Sequence, residues 1–199
     1  MTEKRPIFHS EDDFKHDLVW KIHEQDEICN VRLERWPPSI KESMYVDIWV
    51  ELEGTTCALE LKYKTKKLTF EHRGEIYKLK DQAAQDIGRC DILHDIERLE
   101  TIVRSGSCTT AFAISLTNDP LYWEQPKRDD VTLEAYRVHE GKTLNGTLNW
   151  APRTAKSTIA GREGIIIRHG YGGHWNMNSP CGGGSSGEFR YLLLRVPPE

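Results

Sequence analysis

Close cysteine pairs, long apolar runs, internal repeats and an excess of basic charge are all missing from this chain. Its five cysteines, Cys29, Cys57, Cys90, Cys108 and Cys181, lie scattered through 199 residues and form no C-x-x-C pair. A structural zinc site needs ligand pairs that converge on one ion, so none is expected, and the cysteines are expected to serve as small core residues. No apolar run approaches the ~20 residues that cross a bilayer. The opening MTEKRPIFHSEDD lacks the apolar stretch of a secretory leader. The expectation is an intracellular, cytoplasmic protein with no membrane partner. A net charge of −4 argues against holding nucleic acid by bulk attraction, which works through clustered Lys and Arg. It leaves room for a local basic groove beside an acidic site.

What is present describes a globular protein: 38% hydrophobic and 29% charged residues, in a length that suits one ordinary domain or one with an appendage. Ser10 is placed to cap a helix over SEDDFKHDLVWKIHEQ, with Asp13 at the box position and Phe14, Leu18 and Ile22 as its buried stripe. Glu11, one turn before Phe14, projects near that same face. ICNVRLERW alternates through Cys29, Val31 and Leu33 and reads as a strand ended by Pro37 and Pro38. MYVDIWVEL and TTCALELKYK alternate on either side of Glu53-Gly54, a hairpin signature. KTKKLTFEHRGEIYKLK reads as a basic loop or irregular β-excursion. DQAAQDIGRCDILHDIERLETIV reads as a helix with a bend near Gly88, and CTTAFAISLTN as a strand buried on both faces. From Pro126 the character changes to a glycine-rich β-tail. It starts with a hairpin turning at Glu140-Gly141-Lys142 and continues through strands in REGIIIRHG, GGHWNMN and FRYLLLRV. The expected organisation is an α-β-β-β-α-β core over residues 1–125 with a mixed central sheet between helices, and an antiparallel β-extension over 126–199 packed on it.

The chemistry concentrates in DIWVELEGTTCALELK, from Asp47 to Lys62. A hairpin closing symmetrically on Glu53-Gly54 sets Asp47 opposite Glu60, with Cβ atoms roughly 4.5–5.5 Å apart. Lys62, two residues past Glu60, points to the same face. Val46, Ile48, Val50, Cys57, Leu59 and Leu61 line the other face as core. Trp49 shares the face of Asp47 and is expected to pack under a helix. Two facing carboxylates repel when both are ionised, and one pKa rises. A divalent cation removes the conflict, since Mg²⁺ favours one or two carboxylates plus water and phosphate oxygens. Lys62 would then stand beside the attacking water and the substrate phosphate. The alternative is an ion triad in which Lys62 merely bridges Glu60 and Asp47 on a solvated face.

These residues resemble the core of the PD-(D/E)XK nuclease superfamily, the restriction-endonuclease-like fold shared by restriction endonucleases, Holliday-junction resolvases and defence or repair nucleases. The resemblance spans Ser10 to Asn118. It implies metal ligation by Asp47 and Glu60, joined by the Leu61 carbonyl, with Lys62 as the catalytic lysine. A helix glutamate often completes the set; Glu11 fits best, with Asp13 and Asp17 as rivals. Gln82 or Gln85 could fill an auxiliary position on the following helix. The proline that often precedes the first acid is replaced by Val46.

The implied activity is Mg²⁺- or Mn²⁺-dependent hydrolysis of nucleic acid, DNA favoured over RNA, and double-strand cutting by one site per chain would call for a homodimer. A catalytically inactive nucleic-acid-binding or protein-interaction scaffold is the alternative. Lys64, Lys66, Lys67 and Arg73 form a basic stretch suited to contacting phosphates, or else a solvated loop. Arg153, Lys156, Arg162 and Arg168 offer a weaker second basic surface. His169, His174 and Trp175 read as surface residues of a glycine-rich turn.

Overall fold

The structure is a computed structural model that describes residues 5–40, 44–127, 134–152, 154–162, 164–182, 184 and 186–198. Along the chain run α1 (Glu11–Gln25), β1 (Asn30–Arg35), β2 (Val46–Leu52), β3 (Thr55–Lys64), β4 (Leu68–His72), β5 (Glu75–Leu79), α2 (Gln85–Arg104) and β6 (Thr110–Thr117). Then follow β7 (Thr143–Leu148), the short α3 (Lys156–Ile159), β8 (Ile165–Gly172), β9 (Trp175–Pro180) and β10 (Glu188–Val196). No helix among the described residues is long and apolar enough to cross a membrane.

The main sheet has the order β1-β2-β3-β6-β10-β9. It is mixed, because β3 and β6 pair in parallel while the other neighbours are antiparallel. A parallel pair needs a long crossover, usually a helix, and the chain supplies α2 between β3 and β6. Each face carries a core. On one, Leu93, Ile96, Leu99 and Ile102 of α2 pack with Trp49, Ala58, Ala111 and Ala113. On the other, Ile7, Phe8 and Phe14 pack with Ile48, Leu59, Leu61, Leu116 and Phe189. Trp49 lies under α2, as its position on β2 implies.

Local chemistry explains the elements that place the site. Ser10 caps α1, its Oγ accepting from the Asp13 N–H at 3.1 Å. Asp13 reaches back one residue further than a capping box, to the His9 N–H at 2.9 Å. Glu53 (φ 47°) and Gly54 (φ 78°) both take the left-handed conformation that a tight two-residue hairpin demands. The β2–β3 register follows from Leu52↔Thr55 through Ile48↔Leu59.

Several expectations need correction. The basic stretch after β3 is a regular hairpin, Leu68↔Leu79 through His72↔Glu75, turning on left-handed Arg73 and Gly74. Helix α2 starts at Gln85 rather than Asp81 because Ala84 is left-handed (φ 70°) and Gln82 is tied to β3: its N–H donates to the Thr65 carbonyl, 2.8 Å, and its Oε1 accepts from the Thr65 N–H, 2.9 Å. Gly88 lies inside α2, and a Cβ there would sit 2.0 Å from the Tyr122 hydroxyl, so the glycine admits a neighbour. Leu33 is 38% exposed because β1 is an edge strand, and Val46 joins the α2-side core rather than that of Ile48.

In the tail, the described residues form no hairpin at Glu140-Gly141-Lys142. The preceding Glu134–Tyr136 is a 3-10 turn whose Tyr136 is buried and stacked on Trp150, and β7 pairs with β8 instead. Val131–Leu133 of that expected hairpin and Arg153 lie outside the described residues. Trp175 is core rather than surface, donating its indole N–H to the Val138 carbonyl at 2.7 Å. Four of the five cysteines are buried and all are free, as expected of core residues.

Candidate metal centre

The centre forms where regular pairing of β2 and β3 stops. Beyond Ile48↔Leu59, the next inward N–H of β3 belongs to Leu61, and it donates to Asp47 Oδ2 at 2.8 Å. A side-chain carboxylate thus does the work of a ladder carbonyl. On its other oxygen, Asp47 Oδ1 meets the Lys15 ammonium from α1 at 2.7 Å, and Lys15 also pairs with Glu34. Burial raises the Asp47 pKa, but Lys15 and the Leu61 N–H outweigh it and hold the carboxyl below its ordinary range.

Glu60 is the next residue of β3 beyond the Ile48↔Leu59 pair, and its carboxyl and that of Asp47 perturb each other's pKa. Glu60 is 3% exposed. Burial pushes its pKa up to about 9, with Asp95 and Asp47 adding to the rise and the Arg98 guanidinium opposing it. Arg98, on α2, comes within 3.0 Å of Glu60 Oε1, yet that buried oxygen has no hydrogen bond among the described residues. Arg98 also donates to the Tyr45 carbonyl, which braces the start of β2.

Lys62 projects toward α2. Its ammonium lies 2.6 Å from Asp95 Oδ2 and 3.2 Å from the Leu61 carbonyl. Burial lowers the Lys62 pKa, but Asp95, Glu11 and Glu60 reverse that, so the ammonium stays charged. Burial raises the carboxyl of Asp95 despite Lys62. Glu11 approaches from α1, its Oε2 accepting from the Tyr63 N–H at 2.6 Å; burial is the chief cause that raises its pKa.

The other candidates divide by position. Asp13 and Asp17 face Arg5, at 2.8 and 3.5 Å, leaving Glu11 as the acid of that turn that reaches β3. Gln82 brackets the Thr65 backbone at the exit of β3, and Gln85 donates to Asp119 Oδ2, just past β6, at 2.9 Å; neither is bonded to Asp47 or Glu60. Lys64 is 3.4 Å from Asp91, and Lys66 is 3.8 Å from Asp81 and 4.0 Å from Asp119. Lys67 and Arg73 are exposed.

Lys15, Asp95 and Arg98 belong to the cluster and were not singled out in the sequence. Two of them had a signal. Lys15 is four residues after Glu11, hence on its helix face, and Asp95 sits three after Ile92 and four before Leu99, inside an apolar stripe.

Among the described residues, no three His, Cys, Asp or Glu side chains come together as a ready-made metal cage. A hard dication of the Mg²⁺ type needs less, since one or two carboxylates suffice when water and phosphate complete the shell. The donor chemistry fits that requirement: two carboxyls that perturb each other, one of them with a buried oxygen that has no hydrogen bond among the described residues. No protein-family profile, curated protein or solved structure matches the chain.

Proposed function

We propose that the chain is a Mg²⁺- or Mn²⁺-dependent phosphodiesterase that hydrolyses nucleic acid, DNA in the first instance, on a restriction-endonuclease-like core. One observation carries this reading: the carboxyls of Asp47 and buried Glu60 perturb each other where the β2–β3 ladder ends, Glu60 Oε1 has the Arg98 charge at 3.0 Å but no hydrogen bond among the described residues, and Lys62 stands two residues along. Burying one carboxylate against another is costly, and a dication between them removes that cost. The element order α1-β1-β2-β3-α2-β6, interrupted by the β4–β5 hairpin, is the order the resemblance implies.

In this proposal Asp47, Glu60 and the Leu61 carbonyl hold the cation, with Glu11 as the further helix acid that the resemblance assigns. The bound cation supplies acidity to water and polarises the phosphate. Lys62 contributes a positive charge aimed at the phosphoryl oxygens, where charge builds as the attack proceeds. Asp95 is a positioning residue that fixes the Lys62 ammonium, and Arg98 braces Glu60 and the start of β2. Lys15 supplies Asp47 with its counter-charge and would be the group a cation competes with. Double-strand cutting would require two copies of the chain.

A second reading has a specific observation in its favour. Asp47 and Lys62 each already have a protein counter-charge, Lys15 and Asp95, so the cluster could be a closed ion network in a non-catalytic nucleic-acid-binding or scaffold protein. Incubating the native chain with supercoiled plasmid and single strands, with Mn²⁺ or with chelator, separates the two. We expect cleavage only with metal, and a fall of about 10²–10³ in rate for Lys62→Ala. Cleavage at full rate in Lys62→Ala removes the lysine from the chemistry, and no cleavage by the native chain on any substrate favours the closed network.

A further inference from the structure

A cavity of about 420 Å³ opens between the first turn of α1, the exit of β3 and the end of β5. Lys64, Lys78 and Lys80 line it, and Glu11 is the acid on its wall, with Oε2 already turned onto the Tyr63 N–H. Lys64 makes a long hydrogen bond to Asp91, 3.4 Å. Lys78 and Lys80 are exposed, and their ammonium groups have no partner among the described residues. That imbalance is unusual on a chain whose net charge is −4.

The lysines are carried on a fixed frame. Tyr77 and Leu79 point into the core, so the alternation of β5 turns Lys78 and Lys80 outward on one side. Three hydrogen bonds lock the end of β5 to the end of β3: Thr65 Oγ1 to the Lys80 carbonyl at 2.8 Å, and the reciprocal pair between Thr65 and Gln82 at 2.8 and 2.9 Å. The Gln82 side chain thereby becomes a positioning residue for this cavity. Glu11 belongs both to the cavity and to the neighbourhood of the candidate metal centre, so the two are contiguous.

From this geometry we infer that the cavity is a phosphate subsite, which holds a backbone or terminal phosphate of the same nucleic-acid strand that reaches the metal centre. The inference rests on the nuclease reading for the identity of the strand, while the anion chemistry stands on the lysines. Each ammonium that neutralises a phosphate of a single strand contributes about 0.7 to the slope of log affinity against log salt.

The test is fluorescence anisotropy of a labelled single strand with chelator present, so that no hydrolysis is involved. It compares the native chain with Lys78→Ala/Lys80→Ala and uses inorganic phosphate as competitor. The double variant should bind about tenfold more weakly at low salt and with a slope shallower by about 1.4, with an unchanged thermal melt, since both side chains are exposed. Equal affinity and equal slope in the two proteins would overturn the subsite. Inorganic phosphate should displace the strand only at far higher concentration; phosphate binding as tightly as the strand would overturn the strand as ligand. Loss of cleavage alone, with lysine-dependent strand binding intact, would count against the metal centre and leave the subsite standing.

Discussion

Lys62 is held on two sides, by Asp95 Oδ2 at 2.6 Å and the Leu61 carbonyl at 3.2 Å, and this restraint is what a positioned cation near a reacting phosphate requires. Asp95→Asn keeps the shape and removes the charge. We predict that it lowers kcat about tenfold while leaving Mn²⁺ affinity unchanged, measured by steady-state kinetics beside calorimetry. Lys15 faces Asp47 in a largely buried pair, and a hydrogen bond to a charged group contributes about 1.5–3 kcal/mol. Lys15→Met should therefore lower unfolding free energy by that order in metal-free urea titrations, with much of the loss restored by Mn²⁺ as the replacement counter-charge. The register that brings Asp47 and Glu60 to the end of the β2–β3 ladder could be foreseen, because a two-residue Glu-Gly turn and strict alternation leave one register. Arg98 could not: nothing local says which strand a helix side chain will meet, and only the packing of α2 across β3 brings it to Glu60.

The first turn of α1 is clamped from outside the helix. Asp13 accepts two bonds from the Arg5 guanidinium at 2.8 Å and one from the His9 N–H at 2.9 Å. Burial raises the Asp13 pKa, but the Arg5 hydrogen bond and the His9 N–H outweigh it and depress the folded value. A depressed carboxylate stabilises the fold above its unfolded pKa of about 3.9, and the contribution disappears as pH falls through the lower folded value. Asp13→Asn should thus flatten the acid limb of a Tm-against-pH curve below pH 4 and lower Tm at neutral pH.

In α2 two effects compete at Gly88. Alanine gains about 1 kcal/mol in helix propensity, but its Cβ would lie 2.0 Å from the Tyr122 hydroxyl, and overpacking costs about 1–3 kcal/mol. At that distance sterics win, so Gly88→Ala should destabilise, and adding Tyr122→Phe should recover part of the loss in chemical denaturation. The capped start of α1 was legible from Ser10, and the late start of α2 was not, since Gln82 is recruited by Thr65, a partner that sequence spacing does not reveal.

At the scale of the molecule, a strand pairing and a buried carboxylate both join the tail to the core. β10 pairs with β6 from Arg190↔Thr117 to Val196↔Ala111, extending the main sheet. The β7–β8 sheet is fastened to α2 by buried Glu100, which accepts from the Arg168 and His169 N–H groups and the Tyr171 hydroxyl, at 2.9, 3.0 and 2.9 Å. Glu100→Ala would leave three donors without partners, each costing about 1–3 kcal/mol if it stays buried. We predict faster hydrogen exchange through Ile165–Tyr171 and a lower Tm. The strands of this tail were foreseeable from alternation, whereas their partners were not, because the choice of β6 over a separate sheet depends on which edge the core leaves open.

The claim on which the functional account turns is that Asp47 and Glu60 share a divalent cation. A crystal soaked with Mn²⁺ and measured for anomalous scattering tests it most directly. The account predicts one anomalous peak within ligand distance of an oxygen of each carboxylate and of the Leu61 carbonyl, and its loss in Asp47→Asn. Full occupancy elsewhere, with Lys15 still on Asp47 and no density at the carboxylate pair, would contradict it.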